Sequence, residues 1–191
     1  IYYFSFMEFD LNQFELQKKI GGGNFGNVYV VKEKSTGKEF AAKISKQKFD
    51  ESSKDADLTH QLFREVNLMA SLYHPSIIKF IGYSPTDFSG DNYPTIVTEL
   101  AQKESLEDMI KLEDLGQKLD VWDDTRKLIN IFGIAAGLMF MHEYGIIHRD
   151  LKPANILLDS HCFPKIADFG FSKIQNCLFP NLNYQSQQGF K

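Results

Sequence analysis

The hydrophobic pattern of the chain changes its period near residue 100, and this change limits the possible folds. Between Phe14 and Glu99 the apolar residues come in short alternating runs separated by glycine-rich or polar turns, a pattern typical of β-strands. From Asp123 to about His142 the apolar residues recur at helical spacing instead. The sequence therefore predicts a strand-rich half followed by a helical half.

The first half is predicted to contain five strands and one helix. The helix runs from about Thr59 to Leu72, because Leu62, Val66 and Met69 recur on one helical face before a His-Pro pair. The first two strands flank a glycine-rich turn and form a hairpin. The predicted strands lie at about 14–20, 28–31, 40–44, 77–83 and 95–99.

The second half is predicted to be mainly helical. Ser105-Leu106-Glu107-Asp108 resembles a capping box and predicts the start of a short helix. The helix from Asp123 to His142 is apolar over much of its circumference, which predicts a buried helix. Two short strands, at 156–158 and 165–167, are predicted to follow.

Groups suited to phosphoryl transfer lie close together in the segment that follows the long helix. Asp150 can accept the proton of a hydroxyl, Asn155 can bind a metal ion, and Lys152 adds a positive charge beside the acid. A second acid, Asp168, follows within an Asp-Phe-Gly sequence. Each residue alone is an ordinary polar residue of a loop, but together they match what transfer from a metal–nucleotide complex requires.

This combination resembles the catalytic loop and metal-binding motif of eukaryotic protein kinases. The resemblance implies an α+β, bilobal fold in which a five-stranded antiparallel N-lobe with one helix precedes an incomplete helical C-lobe. The implied boundaries are an extension at 1–13, the N-lobe and hinge at 14–101, and the C-lobe at 102–191, ending in the activation loop. ATP and Mg²⁺ are the implied cofactors, with Asp150 as the base, Lys152 steadying the phosphoryl group, and Asn155 and Asp168 holding the metal.

The resemblance also implies a nucleotide site in the first half. The segment from Gly21 to Val28 has a G-x-G-x-x-G-x-V pattern, and glycines allow the backbone to approach phosphates, although such a pattern alone favours an ordinary turn. A lysine in an apolar strand is costly to bury unpaired, so Lys43 is either an edge lysine in solvent or, by resemblance, the partner of Glu65 and of the phosphates. The implied nucleotide contacts are Gly21, Gly23, Phe25, Gly26, Val28, Ala41, Lys43, Thr98 as gatekeeper, the carbonyl of Glu99, the amide of Ala101, and Leu157.

Further positions match the protein kinase family and indicate the kinase subgroup, its regulation and its core packing. In the catalytic loop, a lysine at the position of Lys152, after Leu151, is typical of serine/threonine kinases. The resemblance therefore implies protein substrates with Ser or Thr acceptors. The run from Asp168 to Lys173 resembles the tyrosine-kinase-like group. Arg149 beside the base implies control by phosphorylation, for which the candidate acceptors are Ser172, Tyr184 and Ser186. The residues expected to form a column between the lobes are Met69, Phe80, His148 and Phe169.

Composition argues against several other classes. The net charge of −4 gives no basic surplus for nucleic acid, and no apolar run reaches transmembrane length. Cys162 and Cys177 form neither a disulfide framework nor a zinc pattern, which favours an intracellular, cytoplasmic setting.

Two alternatives to a protein kinase stay open at this point. One is a nucleotide-binding pseudokinase or interaction module, and the other is a small-molecule kinase, which would lack the His148–Pro153 run. The sequence contains no Ala-Pro-Glu motif and does not begin with methionine. We therefore expect a fragment that is inactive alone and lacks the docking surface for a protein substrate, although Met7 is an alternative start. By the family resemblance, helices beyond Lys191 would cover much of the long helix, so Phe132, Met139 and Phe140 are expected to be exposed in this chain.

Overall fold

The computed structural model describes residues 9–23, 26–48, 56–117 and 121–174. Phe25, Cys177, Tyr184 and Ser186 lie outside these ranges. The strands are β1 (Phe14–Gly22), β2 (Gly26–Glu33), β3 (Glu39–Ser45), β4 (Phe80–Ser84), β5 (Thr95–Glu99), β6 (Ile146–Ile147), β7 (Ile156–Leu158), β8 (Pro164–Ile166) and β9 (Lys173–Ile174). The helices are α1 (Ala56–Ser71), α2 (Leu106–Asp114) and α3 (Asp124–Glu143).

The first half forms one five-stranded antiparallel sheet with the strand order β1-β2-β3-β5-β4. Alternating residues of these strands point into a core that includes Val31, Ala42 and Val97, all with no exposed surface. Phe9 and Leu11 of the preceding segment also pack against this core. The fold class predicted from the sequence is therefore confirmed.

The fourth strand begins later than the sequence predicts. Ile77 and Ile78 continue the apolar run, but β4 starts only at Phe80. The amide of Ile78 donates to the carbonyl of Ile166 at 2.9 Å, and the amide of Ile166 donates to the carbonyl of Ser76 at 2.8 Å. Residues 76–78 therefore pair with β8 of the second half instead of extending the first sheet.

A shared core joins the two halves. Val66 and Met69 of α1 are buried in the same cluster as Ile77, Met141 and Phe169. Since α1 belongs to the first half and Met141 and Phe169 to the second, burial of this cluster stabilises the contact between the halves.

The two later helices begin where the sequence predicts. Ser105 caps α2, and the reciprocal bonds of a capping box with Asp108 are present. Asp123 caps α3 by accepting a hydrogen bond from the amide of Arg126. Strands β7 and β8 pair as a short hairpin, whereas the pairing of β6 with β9 and the 3₁₀ turn at Leu11–Gln13 were not expected.

The expectation that Phe132, Met139 and Phe140 of α3 are exposed is confirmed for the first two and wrong for Phe140, which packs against the core. Asn130, Gly137 and Met141 are buried, but Phe132 and Met139 are 76% and 62% exposed. The physical reason is that hydrophobicity around a helix does not determine which sides have neighbours, and no described element covers this face. None of the described helices is long and apolar enough to cross a bilayer.

Candidate functional site

A cleft of about 840 Å³ lies between the sheet and the helical half. It brings together most of the residues that the sequence predicts for a nucleotide site. These lining residues are Gly21, Gly23, Gly26, Val28, Ala41, Lys43, Glu65, Thr98, Glu99, Ala101, Asn155, Leu157 and Asp168. Phe25 lies outside the described residues, so its predicted position over the phosphates stays a prediction.

Lys43 on β3 lies between two carboxylates. Its Nζ is 2.9 Å from Oε1 of Glu65 on α1 and 3.3 Å from Oδ1 of Asp168. Burial opposes the charge on Lys43, but the carboxylates of Glu65 and Asp168 outweigh this effect and raise the pKa of Lys43. The ammonium group is therefore charged at neutral pH and held inside the cleft, which excludes the alternative of an edge lysine with its head in solvent.

The second half places Asp150 in a network of short contacts. Oδ2 of Asp150 is 2.8 Å from Nζ of Lys152 and accepts a 2.9 Å hydrogen bond from Nδ2 of Asn155. The hydrogen bond from Lys152 is the main reason why the pKa of Asp150 lies below its usual value. Asp150 is therefore a carboxylate at neutral pH, oriented by two neighbouring side chains.

The segment containing Asp168 is joined to the segment containing Asp150 through main-chain groups. The amide of Ala167 donates to the carbonyl of Asn155 at 2.9 Å, and Nε2 of His148 lies 2.9 Å from the carbonyl of Ala167. Arg149 and Asp168 both have left-handed backbone angles, with φ of 64° and 63°. Such angles are unfavourable for residues other than glycine and are found preferentially at functional sites.

An apolar column supports the site from behind. The rings of His148 and Phe169 lie 5.4 Å apart, and Phe169 belongs to the same buried cluster as Met69, with Phe80 packed against it. His148 is only 2% exposed. The four residues predicted to form the column therefore lie together in the core.

The segment after Asp168 contains Ser172, one of the predicted phosphorylation sites. Ser172 is 3% exposed and its hydroxyl donates to the carbonyl of His148 at 3.3 Å. Nε of Arg149 donates to the carbonyl of Phe171 at 2.6 Å. A kinase could not reach the hydroxyl of Ser172 in this arrangement, so the structure argues against Ser172 as an acceptor, and Tyr184 and Ser186 lie outside the described residues.

One interaction at the cleft was missed by the sequence analysis. The side chain of Glu99 lies 3.2 Å from Nζ of Lys165 on β8 and accepts a 2.9 Å hydrogen bond from the amide of Lys79. The sequence analysis assigned only the carbonyl of Glu99 to the site. No local pattern marks this ion pair, since its partners belong to different halves of the chain.

The oxygen donors of the site are suited to a small divalent cation. Mg²⁺ prefers oxygen ligands and is usually held by one or two protein side chains together with substrate phosphates and water. Asn155 and Asp168 both line the cleft, and Asn155 uses its amide nitrogen for both bonds to Asp150, which leaves its side-chain oxygen on the other side of the amide. Among the described residues no cluster of three or more His, Cys, Asp or Glu side chains could hold a metal.

Comparisons with known proteins place the chain in a family. Residues 14–185 match the family model described as the protein kinase domain. An Aurora kinase from Patiria pectinifera is 34% identical over 165 residues, which are 86% of this chain and 38% of the relative. Aurora kinase A-A from Xenopus laevis is 35% identical over 162 residues, or 85% of this chain and 37% of the relative. The serine/threonine-protein kinase Aurora-1 from Arabidopsis thaliana is 33% identical over 162 residues, or 85% of this chain and 51% of the relative. The chain thus spans about half or less of the length of these relatives.

Proposed function

The chain belongs to the protein kinase family, and we propose that the protein containing it transfers the γ-phosphoryl group of ATP to serine or threonine hydroxyls of proteins. The observation that carries this proposal is a pair of charge networks, one inside the cleft and one beside it. One network joins Lys43, Glu65 and Asp168, and the other joins Asp150, Lys152 and Asn155. The first suits the binding of phosphates, and the second suits the activation of a hydroxyl.

Each network has a distinct part in the proposed reaction. Lys43 binds the phosphates of the nucleotide, and Glu65 holds its ammonium group in position. The carboxylate of Asp150 accepts the proton of the acceptor hydroxyl, while Lys152, whose Nζ lies 2.8 Å from Oδ2 of Asp150, stabilises the charge on the transferring group. Preorganised charges of this kind need no rearrangement during the reaction, which is the main source of their catalytic effect.

Magnesium and the adenine ring complete the proposed site. Asn155 and Asp168 would hold Mg²⁺, which neutralises charge on the phosphate oxygens when it is bound. Val28, Ala41 and Leu157 line the cleft and would enclose the adenine ring between apolar surfaces. The main chain at Glu99 and Ala101 would meet the polar edge of the ring.

The choice of acceptor follows from Lys152 and from the names of the relatives. One of these relatives is named a serine/threonine-protein kinase. We expect phosphate to appear on serine and threonine when the longest natural chain containing these residues is incubated with Mg·ATP and a peptide array. Predominant transfer to tyrosine would contradict the acceptor choice, and nucleotide binding without any transfer would favour the pseudokinase alternative.

A prediction concerns the back of the nucleotide pocket. Thr98 lines the cleft, and its hydroxyl donates to the carbonyl of Glu99 at 3.1 Å. Thr98→Met adds bulk at this position, so it is expected to weaken inhibitors that extend behind the adenine by about 10-fold or more while changing the KM for ATP by less than about 3-fold. Inhibition constants measured for both forms test this, with an inhibitor that stays in front of Thr98 as the control. Equal affinity of the extended inhibitor for both forms would show that Thr98 does not limit the pocket.

An intracellular, reducing environment is also part of the proposal. Cys162 is a free thiol, buried in the cluster with Met109, Trp122 and Leu158. A buried thiol that packs as a small apolar side chain is compatible with a compartment in which disulfides are rare.

A further inference from the structure

The residues that follow β3 place a lysine against the glycine-rich turn. Nζ of Lys46 donates a 2.6 Å hydrogen bond to the main-chain carbonyl of Gly23. We propose that Lys46 is a positioning residue that fixes the main chain of Gly23, the first end of the glycine-rich turn, for binding of the nucleotide phosphates. The inference rests on the proposed function, because it assigns a role at the same nucleotide site.

The register of the sheet explains why Lys46 reaches this turn. Gly26 pairs with Ser45 at the end of the β2–β3 ladder, so Lys46 is the first residue beyond that pair and lies beside the turn. Ser45 is fixed on its other side, because its amide donates to the carbonyl of Pro94 at 2.8 Å and its hydroxyl accepts from the amide of Gln47 at 3.1 Å. The main chain on both sides of Lys46 is therefore held in place.

The two ends of the glycine-rich turn differ in how tightly they are packed. At Gly26 an added Cβ would lie 2.6 Å from the carbonyl oxygen of Ile44, so this end is in close contact with β3. At Gly23, among the described residues, no atom lies within 4 Å of where a Cβ would be. The hydrogen bond from the amide of Gly23 to the carbonyl of Gly26 closes the turn at 2.9 Å. The bond from Lys46 therefore acts on the more loosely packed of the two ends among the described residues.

Charge strengthens this contact. A hydrogen bond from an ammonium group is stronger than one between neutral groups. The charge of Lys43 is balanced by Glu65 and Asp168, whereas no ion pair within the described ranges involves Lys46. Lys46 does not line the cleft, so its effect on the nucleotide passes through the carbonyl of Gly23 and not through direct contact.

The chain offers a matched control two residues further on. Lys48 is also exposed, with 59% of its side chain accessible, but its Nζ lies 3.9 Å from Asp91 and over the ring of Tyr93. Lys46→Met and Lys48→Met remove the same charge from the same segment and keep similar side-chain volume. Only the first removes a bond to the glycine-rich turn.

The affinity test uses the longest natural chain that contains these residues, with Mg·ATP and adenosine as probes. Lys46→Met is expected to raise the Kd for Mg·ATP by about 3- to 10-fold, the size of one ordinary hydrogen bond, because the bond to Gly23 is exposed to solvent. It should leave the Kd for adenosine, which has no phosphates, unchanged. Lys46→Arg should keep most of the affinity, and Lys48→Met should match the wild type. The proposal would be overturned if Lys46→Met and Lys48→Met changed the Kd for Mg·ATP equally. It would also be overturned if Lys46→Met raised the Kd for adenosine as much as the Kd for Mg·ATP.

A second measurement reads the turn directly and does not need a bound nucleotide. The amide of Gly23 is expected to exchange its hydrogen faster in Lys46→Met than in the wild type or in Lys48→Met. Unchanged exchange would refute the positioning role even if nucleotide affinity fell. Failure of the wild type to bind Mg·ATP would instead contradict the proposed function, and the exchange rates would still decide whether Lys46 holds the turn.

Discussion

Asp150→Asn is expected to lower kcat for phosphoryl transfer by about 10²- to 10⁴-fold, the usual contribution of a general base. The substitution keeps the shape of the side chain but removes its negative charge. Lys152 then loses the carboxylate that lies 2.8 Å from its Nζ, and no group remains at this position to accept the hydroxyl proton. Steady-state kinetics with Mg·ATP and a peptide substrate, in the longest natural chain containing these residues, measure the change.

The affinity for nucleotide and a second aspartate provide the controls. Asp150 is not among the lining residues of the cleft, so the Kd for Mg·ATP should change by less than about 3-fold. Asp124 is a fully exposed carboxylate at the start of α3, paired only with Lys127 at 3.6 Å among the described contacts, and Asp124→Asn should leave kcat unchanged. Near-normal kcat in Asp150→Asn would show that Asp150 is not the base.

Self-association of the 191-residue chain through α3 is the second large effect that we expect. Leu128, Ile131, Phe132 and Met139 are between 62% and 76% exposed on this helix. Each large apolar side chain left in water forgoes about 1.5–3 kcal/mol of burial, and contiguous exposed patches of this kind promote association. The chain should therefore form oligomers at micromolar concentration, and the double substitution Phe132→Glu with Met139→Glu should shift it towards the monomer.

Sedimentation velocity of the two forms tests this expectation. Tyr73→Glu provides the control, because Tyr73 is 80% exposed but belongs to the segment after α1 and not to α3. It removes an exposed aromatic residue of similar size, so it should leave the association unchanged. A wild-type chain that stays monomeric at high concentration would contradict the role of the α3 face.

The sequence predicts those parts of the molecule whose determinants are local or chemically distinctive. The capping box at Ser105 and Asp108 could be found because its two bonds join residues three positions apart. The site around Asp150 could be found because few other functions require that set of charged groups at that spacing. Lys43 and Glu65 could be matched only through the family resemblance, since each is an ordinary residue in its own element.

The features that the sequence did not predict depend on contacts between distant segments. Ile77 and Ile78 have the composition of a strand, but the choice between β5 and β8 as their partner is made by tertiary packing. The pairing of Glu99 with Lys165 has the same origin. The exposed face of α3 could be expected only through the family resemblance, because hydrophobic periodicity describes the surface of a helix and not its neighbours.

The pairing of residues 76–78 with β8 has a consequence for how the molecule unfolds. The main-chain bonds between Ile78 and Ile166, and between Ile166 and Ser76, cross the boundary that the sequence suggests near residue 101. Separating the chain at that boundary would leave these main-chain groups without partners and would expose the buried side chains of Ile77 and Ile78. The two lobes are therefore thermodynamically coupled, so separating them should lower the stability of each half.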